Sequence, residues 1–194
     1  MNESVSKKLV GNKLTVNYSI HHSIRGVTLV DVWDALREIR EKGMIDGVQY
    51  MIELLEDDRV TFSGKRDTNG LPTIISKLIN ALVGDIFTFQ EGFIMEKDRI
   101  SVNSYLTEDT TVFLNIRTYY TVTDTGVDIF TRIRTGVESS LLTFFPDTVA
   151  KAILSVLRKK VSTVRSVEYD FLQTRVKSVP DEKTLSPDSR LPAV

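Results

Sequence analysis

Between Ile86 and Val137 the chain alternates apolar and polar residues in four consecutive stretches, and one long helical stripe follows almost at once. No other feature limits the fold as much. The stretches are "IFTFQEGFIME", "DRISVNSYLT", "TTVFLNIRTYYTV" and "GVDIFTRIRTGV", joined by the short turns "KD", "EDT" and "TDTG". A period of two sends successive side chains to opposite faces of a strand, and turns this short connect only antiparallel neighbours. Val112, Leu114, Ile116, Thr118, Tyr120 and Val122 share a face of the third stretch. Val127, Ile129, Thr131, Ile133, Thr135 and Val137 share a face of the fourth. Pro146 then opens a helix, with Asp147 in the first turn, where a negative charge suits the helix dipole. Its apolar stripe runs through Val149, Ile153, Val156, Leu157, Val164, Val167 and Phe171. A meander with one greasy face, followed by one long helix with one greasy side, predicts an α+β domain in which the helix covers the sheet.

Upstream, "LTVNYSIHHSI" predicts a strand with Leu14, Val16, Tyr18, Ile20, His22 and Ile24 on one face, ended by Gly26. "TLVDVWDALREIREKG" predicts a helix. Thr28 is its N-cap, Asp31 completes a short capping box, and Val32, Trp33, Leu36 and Ile39 form its stripe. Gly43 suits the left-handed residue past its end. "VQYMIELLEDDRVTFSGKRD" divides into a hairpin: Val48, Tyr50, Ile52 and Leu54 alternate, Asp57-Asp58 turns, and Val60 and Phe62 alternate again. "LPTIISKLINALVGD" returns to helical spacing from Leu71 to Val83, with Pro72 near its start and Gly84 as terminator. The organisation expected is a flexible lead-in over 1–12, one domain over 13–173, and a disordered tail over 174–194, where proline and charge replace apolar periodicity.

Composition removes several function classes. The absence of cysteine excludes a disulfide framework, a thiolate metal site and a cysteine nucleophile. The two histidines, His21 and His22, are strand neighbours on opposite faces and cannot easily share a metal, so neither a metal nor a cofactor is expected. A net charge of −1 gives no general attraction to nucleic acid. No apolar run is long enough to span a bilayer, and "MNESVSKKLVGNKL" lacks the core of a signal peptide. The localisation expected is cytoplasmic.

The order strand, short helix, antiparallel strands, long C-terminal helix, together with "VWDAL" at Val32 to Leu36, resembles the START-related helix-grip superfamily (SRPBCC, Bet v 1-like). That superfamily includes lipid-transfer domains, plant pathogenesis-related ligand binders and polyketide cyclases. The resemblance covers roughly residues 13–172, and the helix from Leu71 to Val83 departs from it. It implies a curved antiparallel β-sheet wrapped around a long C-terminal α-helix, with a cavity between them suited to apolar ligands.

Alternation predicts an inward face almost free of charge, whose polar members are Tyr18, His22, Tyr50, Ser104, Thr118, Tyr120, Thr131 and Thr135. The candidate ligand-binding set is Tyr18, His22, Trp33, Tyr50, Thr118, Tyr120 and Thr131, with Ile153 and Leu157 from the last helix. No residue is assigned a catalytic role. His22 reads first as a satisfied core-edge histidine and second as a base beside Tyr50 or Tyr120. Trp33 reads first as core and second as a pocket mouth. Arg117, Arg132 and Arg134 fall on the opposite, solvated face. In "SLLTFFPD", Leu141, Leu142, Phe144 and Phe145 are expected to pack against the first helix, with peripheral membrane contact as the alternative. The function expected is non-enzymatic binding or transport of an apolar small molecule or lipid. The alternatives are an interaction module that fills its own cavity and, last, a cyclase-like enzyme. Ligand identity and oligomeric state are left open.

Overall fold

The computed structural model describes residues 2–67, 86–107 and 111–178. Its elements are β1 (Asn2–Val10), β2 (Lys13–Arg25), α1 (Leu29–Glu41), β3 (Val48–Leu55), β4 (Arg59–Asp67), β5 (Ile86–Met95), β6 (Arg99–Leu106), β7 (Val112–Thr123) and β8 (Gly126–Glu138). A short 3₁₀ turn (Ser140–Thr143) then leads into α2 (Pro146–Ser178). The eight strands form one antiparallel sheet in the order β1-β2-β8-β7-β6-β5-β4-β3. Strands β3 to β8 follow one another as a meander. The long strand β2 instead pairs with β8, and α1 carries the chain from there to the far edge, where β3 begins.

Helix α1 forms as its ends dictate. The Thr28 hydroxyl accepts from the Asp31 backbone N–H, and the Asp31 carboxylate accepts from the Thr28 N–H at 2.8 Å. Gly43 takes φ 61°, the left-handed conformation that ends the helix. Val32, Trp33, Leu36 and Ile39 are buried together with Val60, Phe62, Phe93 and Ile129 of the sheet. At the other end, Leu14, Val16 and Val137 enclose Val149 and Ala150 of α2. The inner face of the sheet is thus filled by α1 at one end and by the start of α2 at the other.

Three expectations are corrected. Residues 2–10 are not a flexible lead-in but strand β1, joined to β2 by a tight turn at Gly11 (φ 58°). All of its residues are exposed, so burial left no mark on its sequence; an edge strand is held by backbone hydrogen bonds and needs no apolar face. It is further tied to α2 by the ion pairs Glu3–Arg158 and Lys7–Asp147. Helix α2 continues through Ser178, so residues 174–178 are helical, while 179–194 lie outside the described residues. In β3 the pairing with β4 shifts between Ile52 and Leu54, and the alternation that begins at Val48 fails there. Ile52 is 45 % exposed. The helix expected from Leu71 to Val83 lies within 68–85, outside the described residues.

Candidate functional site

A cavity of about 250 Å³ lies between α2 and the inner face of the sheet. Helix α2 lines it from Ile153 to Glu168, and each of the strands β3 to β8 contributes at least one residue. Neighbouring strands sit about 4.8 Å apart, so six of them touch one hollow only when the sheet curls around it. Most of the wall is apolar, with Val112, Leu114, Ile116 and Ile133 from the sheet facing Val156 and Val161 from the helix. The volume falls just under the range of roughly 300–1,000 Å³ typical of pockets for drug-sized ligands.

One end of this cavity is charged, and this overturns the expectation of a neutral lining. Arg40 of α1 is 4 % exposed, and Glu168 of α2 is 2 % exposed. Arg40 Nε donates to Glu91 Oε2 at 3.0 Å, and its Nη1 reaches Glu168 Oε1 at 3.5 Å. Ser104 Oγ donates to the other Glu91 oxygen at 2.8 Å. Tyr120 Oη lies 3.2 and 3.1 Å from the two Glu168 oxygens. Arg165 Nη1 donates to both Tyr120 and Glu168, while Nη2 donates to Thr118 at 3.1 Å and Thr131 at 2.9 Å. Two guanidiniums and two carboxylates thus neutralise one another beneath the sheet. Burial pulls the Arg40 pKa down, but Glu91, Tyr50 and Glu168 outweigh it, so Arg40 stays charged. Burial and then the neighbouring Glu91 carboxylate push the Tyr50 hydroxyl up, so it stays protonated. Burial does the same to Tyr120.

Of the candidate ligand-binding residues, Tyr50, Thr118, Tyr120, Thr131, Ile153 and Leu157 line the cavity. Tyr18, His22 and Trp33 do not. Trp33 belongs to the core between α1 and the sheet. Tyr18 is buried with Ile20 and Ile133 and donates its hydroxyl to Glu3 at 3.3 Å. Arg117, Arg132 and Arg134 are exposed on the outer face. Leu142 is buried against Leu14, Val16 and Val137 rather than against α1. Phe144 and Phe145 are 73 % and 61 % exposed, so these two do not make the packing expected for them. Among the described residues no group of three His, Asp or Glu is placed to hold a metal, and no helix is long and apolar enough to cross a membrane.

His22 is not the satisfied histidine expected. Both ring nitrogens are buried without a hydrogen-bond partner. Burial first, and then the Arg165 charge, lower its pKa from 6.5 to about 4. The folded ring therefore stays neutral at pH values where the unfolded chain takes up a proton. This contribution is present above about pH 6.5 and is lost as the pH falls toward 4. His22→Leu is expected to flatten that part of the stability profile by about 1–2 kcal/mol, allowing for partial exposure. Thermal unfolding of both proteins across this range checks it; parallel profiles would contradict it.

No protein-family model matches the sequence, and no curated protein matches it either. Solved structures do match in shape. The di-domain ARO/CYC StfQ from the steffimycin biosynthetic pathway aligns with a TM-score of 0.59 and 15 % identity over 84 % of this chain and 52 % of its own. This chain therefore spans about half the length of StfQ. The Zhui aromatase/cyclase from Streptomyces sp. R1128 aligns at 0.57 with 11 % identity, over 84 % of this chain and 98 % of its own. The STAR-related lipid transfer protein from Xanthomonas axonopodis aligns at 0.53 with 11 % identity, over 87 % and 98 % of the two chains. At such identities the likeness speaks for architecture alone. The eight-stranded antiparallel sheet closed around α2 and the shape shared with these proteins place this chain in the helix-grip fold.

Proposed function

We propose that this protein binds and carries a small apolar molecule in the cavity between its sheet and α2. One observation carries the reading: apolar side chains line most of the cavity, and its buried charged groups, Arg40, Glu91, Arg165 and Glu168, are tied to one another in a single cluster. Such a site gains affinity by removing apolar ligand surface from water, at roughly 25 cal/mol per Å² before the costs of association. A few polar atoms then fix the orientation. The aromatase/cyclase and lipid-transfer names of structures with this shape fit a hydrophobic ligand.

Binding is favoured over turnover by the state of the charged groups. Every carboxylate oxygen of Glu91 and Glu168 already faces a donor, which leaves neither as a free general base. His22, the base considered from the sequence, is not part of the lining. A module that filled its own interior would leave no such hollow beside α2.

Protein purified from its native source is expected to release a small apolar compound in near-stoichiometric amount, identified by mass spectrometry of an organic extract. Added back to stripped protein at a hundred times its Kd, that compound should raise stability by about 2.7 kcal/mol. No recovered compound, together with no stabilisation by any apolar probe, would defeat the reading.

A further inference from the structure

The charged end of the cavity carries an inference about which ligands are accepted, and it rests on the carrier reading above. Arg40 and Tyr50 reach the cavity wall side by side with Glu91. Arg40 spends its Nε on Glu91 and its Nη1 on Leu36 and Glu168, and its Nη2 bonds to no described residue. The Tyr50 hydroxyl likewise bonds to no described residue, although its ring is held edge-on by Phe62 at 5.9 Å and by Phe89 at 5.8 Å. Two donors of fixed position are thus turned toward the hollow with hydrogen-bonding capacity to spare. Neither atom is among those buried away from solvent without a partner, so each is open to the cavity that its residue lines.

What they can satisfy is limited by charge. The positive charges of Arg40 and Arg165 are matched by the negative charges of Glu91 and Glu168. A ligand carboxylate or phosphate placed against Arg40 would meet a buried guanidinium already held between two carboxylates, so the anion would be desolvated beside like charge, which is disfavoured. A hydroxyl or carbonyl oxygen brings an acceptor and no net charge. Arg66, whose charge also acts on the Tyr50 hydroxyl, and Lys160 reach the lining too, but both are only partly buried, so water screens them more than it does Arg40.

We infer that Arg40 and Tyr50 form a docking point for a neutral oxygen, so that the ligand is an apolar body ending in a hydroxyl or carbonyl group and its carboxylate counterpart is rejected. Glu91 sets this selectivity by matching the Arg40 charge; it acts through Arg40 and is a positioning residue.

The test uses two sets of matched probes on the full-length stripped protein at neutral pH: 2-naphthol, 2-naphthoate and naphthalene; and decan-1-ol, decanoate and decane. Titration calorimetry is expected to give at least about tenfold tighter binding of the alcohol or phenol than of the carboxylate with the same body. Glu91→Gln leaves the cluster with one net positive charge, and should shrink that ratio below threefold or reverse it in favour of the carboxylate. Tyr50→Phe keeps the ring packing and should cost the hydroxylated probes about three- to tenfold more affinity than it costs the hydrocarbons. This second variant keeps the inference testable if Glu91→Gln fails to fold. Carboxylates binding as tightly as alcohols in the unaltered protein would overturn the inference and leave the carrier reading standing. Hydroxylated and hydrocarbon probes losing affinity equally in Tyr50→Phe would also overturn it. Binding of none of the six probes would sink both readings.

Discussion

Glu168→Ala is expected to lower folding stability by about 3–5 kcal/mol, the cost typical of breaking a buried ion pair from one side. The reason lies in what Glu168 holds. Its carboxylate takes hydrogen bonds from Tyr120 and Arg165 and faces Arg40 at 3.5 Å, while only 2 % of the residue is exposed. Alanine removes the negative charge, leaves Arg40 paired with Glu91 alone, and leaves the buried Arg165 guanidinium without its carboxylate. Glu168→Gln should cost less, because an amide oxygen still accepts from Tyr120. The control is Asp34→Ala, which breaks the solvent-exposed pair with Arg175 at 3.6 Å. Surface pairs of that kind contribute about 0–1 kcal/mol. Equilibrium urea unfolding of the three variants measures the ordering. If Glu168→Ala proved no more harmful than Asp34→Ala, the buried network would not be the structural element described here.

Filling the cavity is expected to abolish binding while sparing the fold. Val156 lines the hollow from α2 and belongs to none of the packed clusters of the core. Val156→Trp would spread an indole through a space of about 250 Å³. Affinity for any resident ligand should fall about a hundredfold or more, equivalent to ~2.8 kcal/mol. Overpacking a dense core costs about 1–3 kcal/mol, but a side chain grown into a void meets few neighbours to displace. Unfolding midpoints should therefore stay close to those of the parent protein. Unchanged binding would place the ligand elsewhere; unfolding on substitution would mean that this region is already solid.

The main architecture was legible because burial imprints a period on sequence. In β6 and β8 one face is buried and the other is wet, so the alternation survives as a readable signal. The Thr28–Asp31 box and Gly43 mark α1 at both ends, since helix termini need specific partners. What stayed hidden was structure held without an apolar face. Strand β1 is exposed throughout and rests on its pairing with β2, leaving nothing for a hydrophobic pattern to record. The charged quartet was hidden for a different reason. Arg165 and Glu168 look like ordinary charges on a helix, and Arg40 looks like a favourable last-turn cation on α1. Only Glu91 left a hint, as the single charge at an inward position between Phe89 and Phe93. Tyr50, Thr118, Tyr120 and Thr131 were found as lining residues because strand parity alone assigns them inward. Trp33, read first as core, is core; its second reading as a pocket mouth fails, since helical spacing gives a face but not what that face meets.

The pairing of β2 with β8 has a consequence in time. Residues from Lys13 to Arg25 find their partners more than a hundred positions further along the chain. Closing so wide a loop loses much entropy before any contact repays it, and proteins dominated by such distant pairings collapse into order slowly. Until Gly126–Glu138 arrives, one side of β2 remains an unsatisfied ribbon able to recruit the wrong neighbour. Refolding from denaturant should accordingly be rate-limited by this late stitch, with substitutions across the β2–β8 seam slowing assembly more than those within the β5–β6 hairpin.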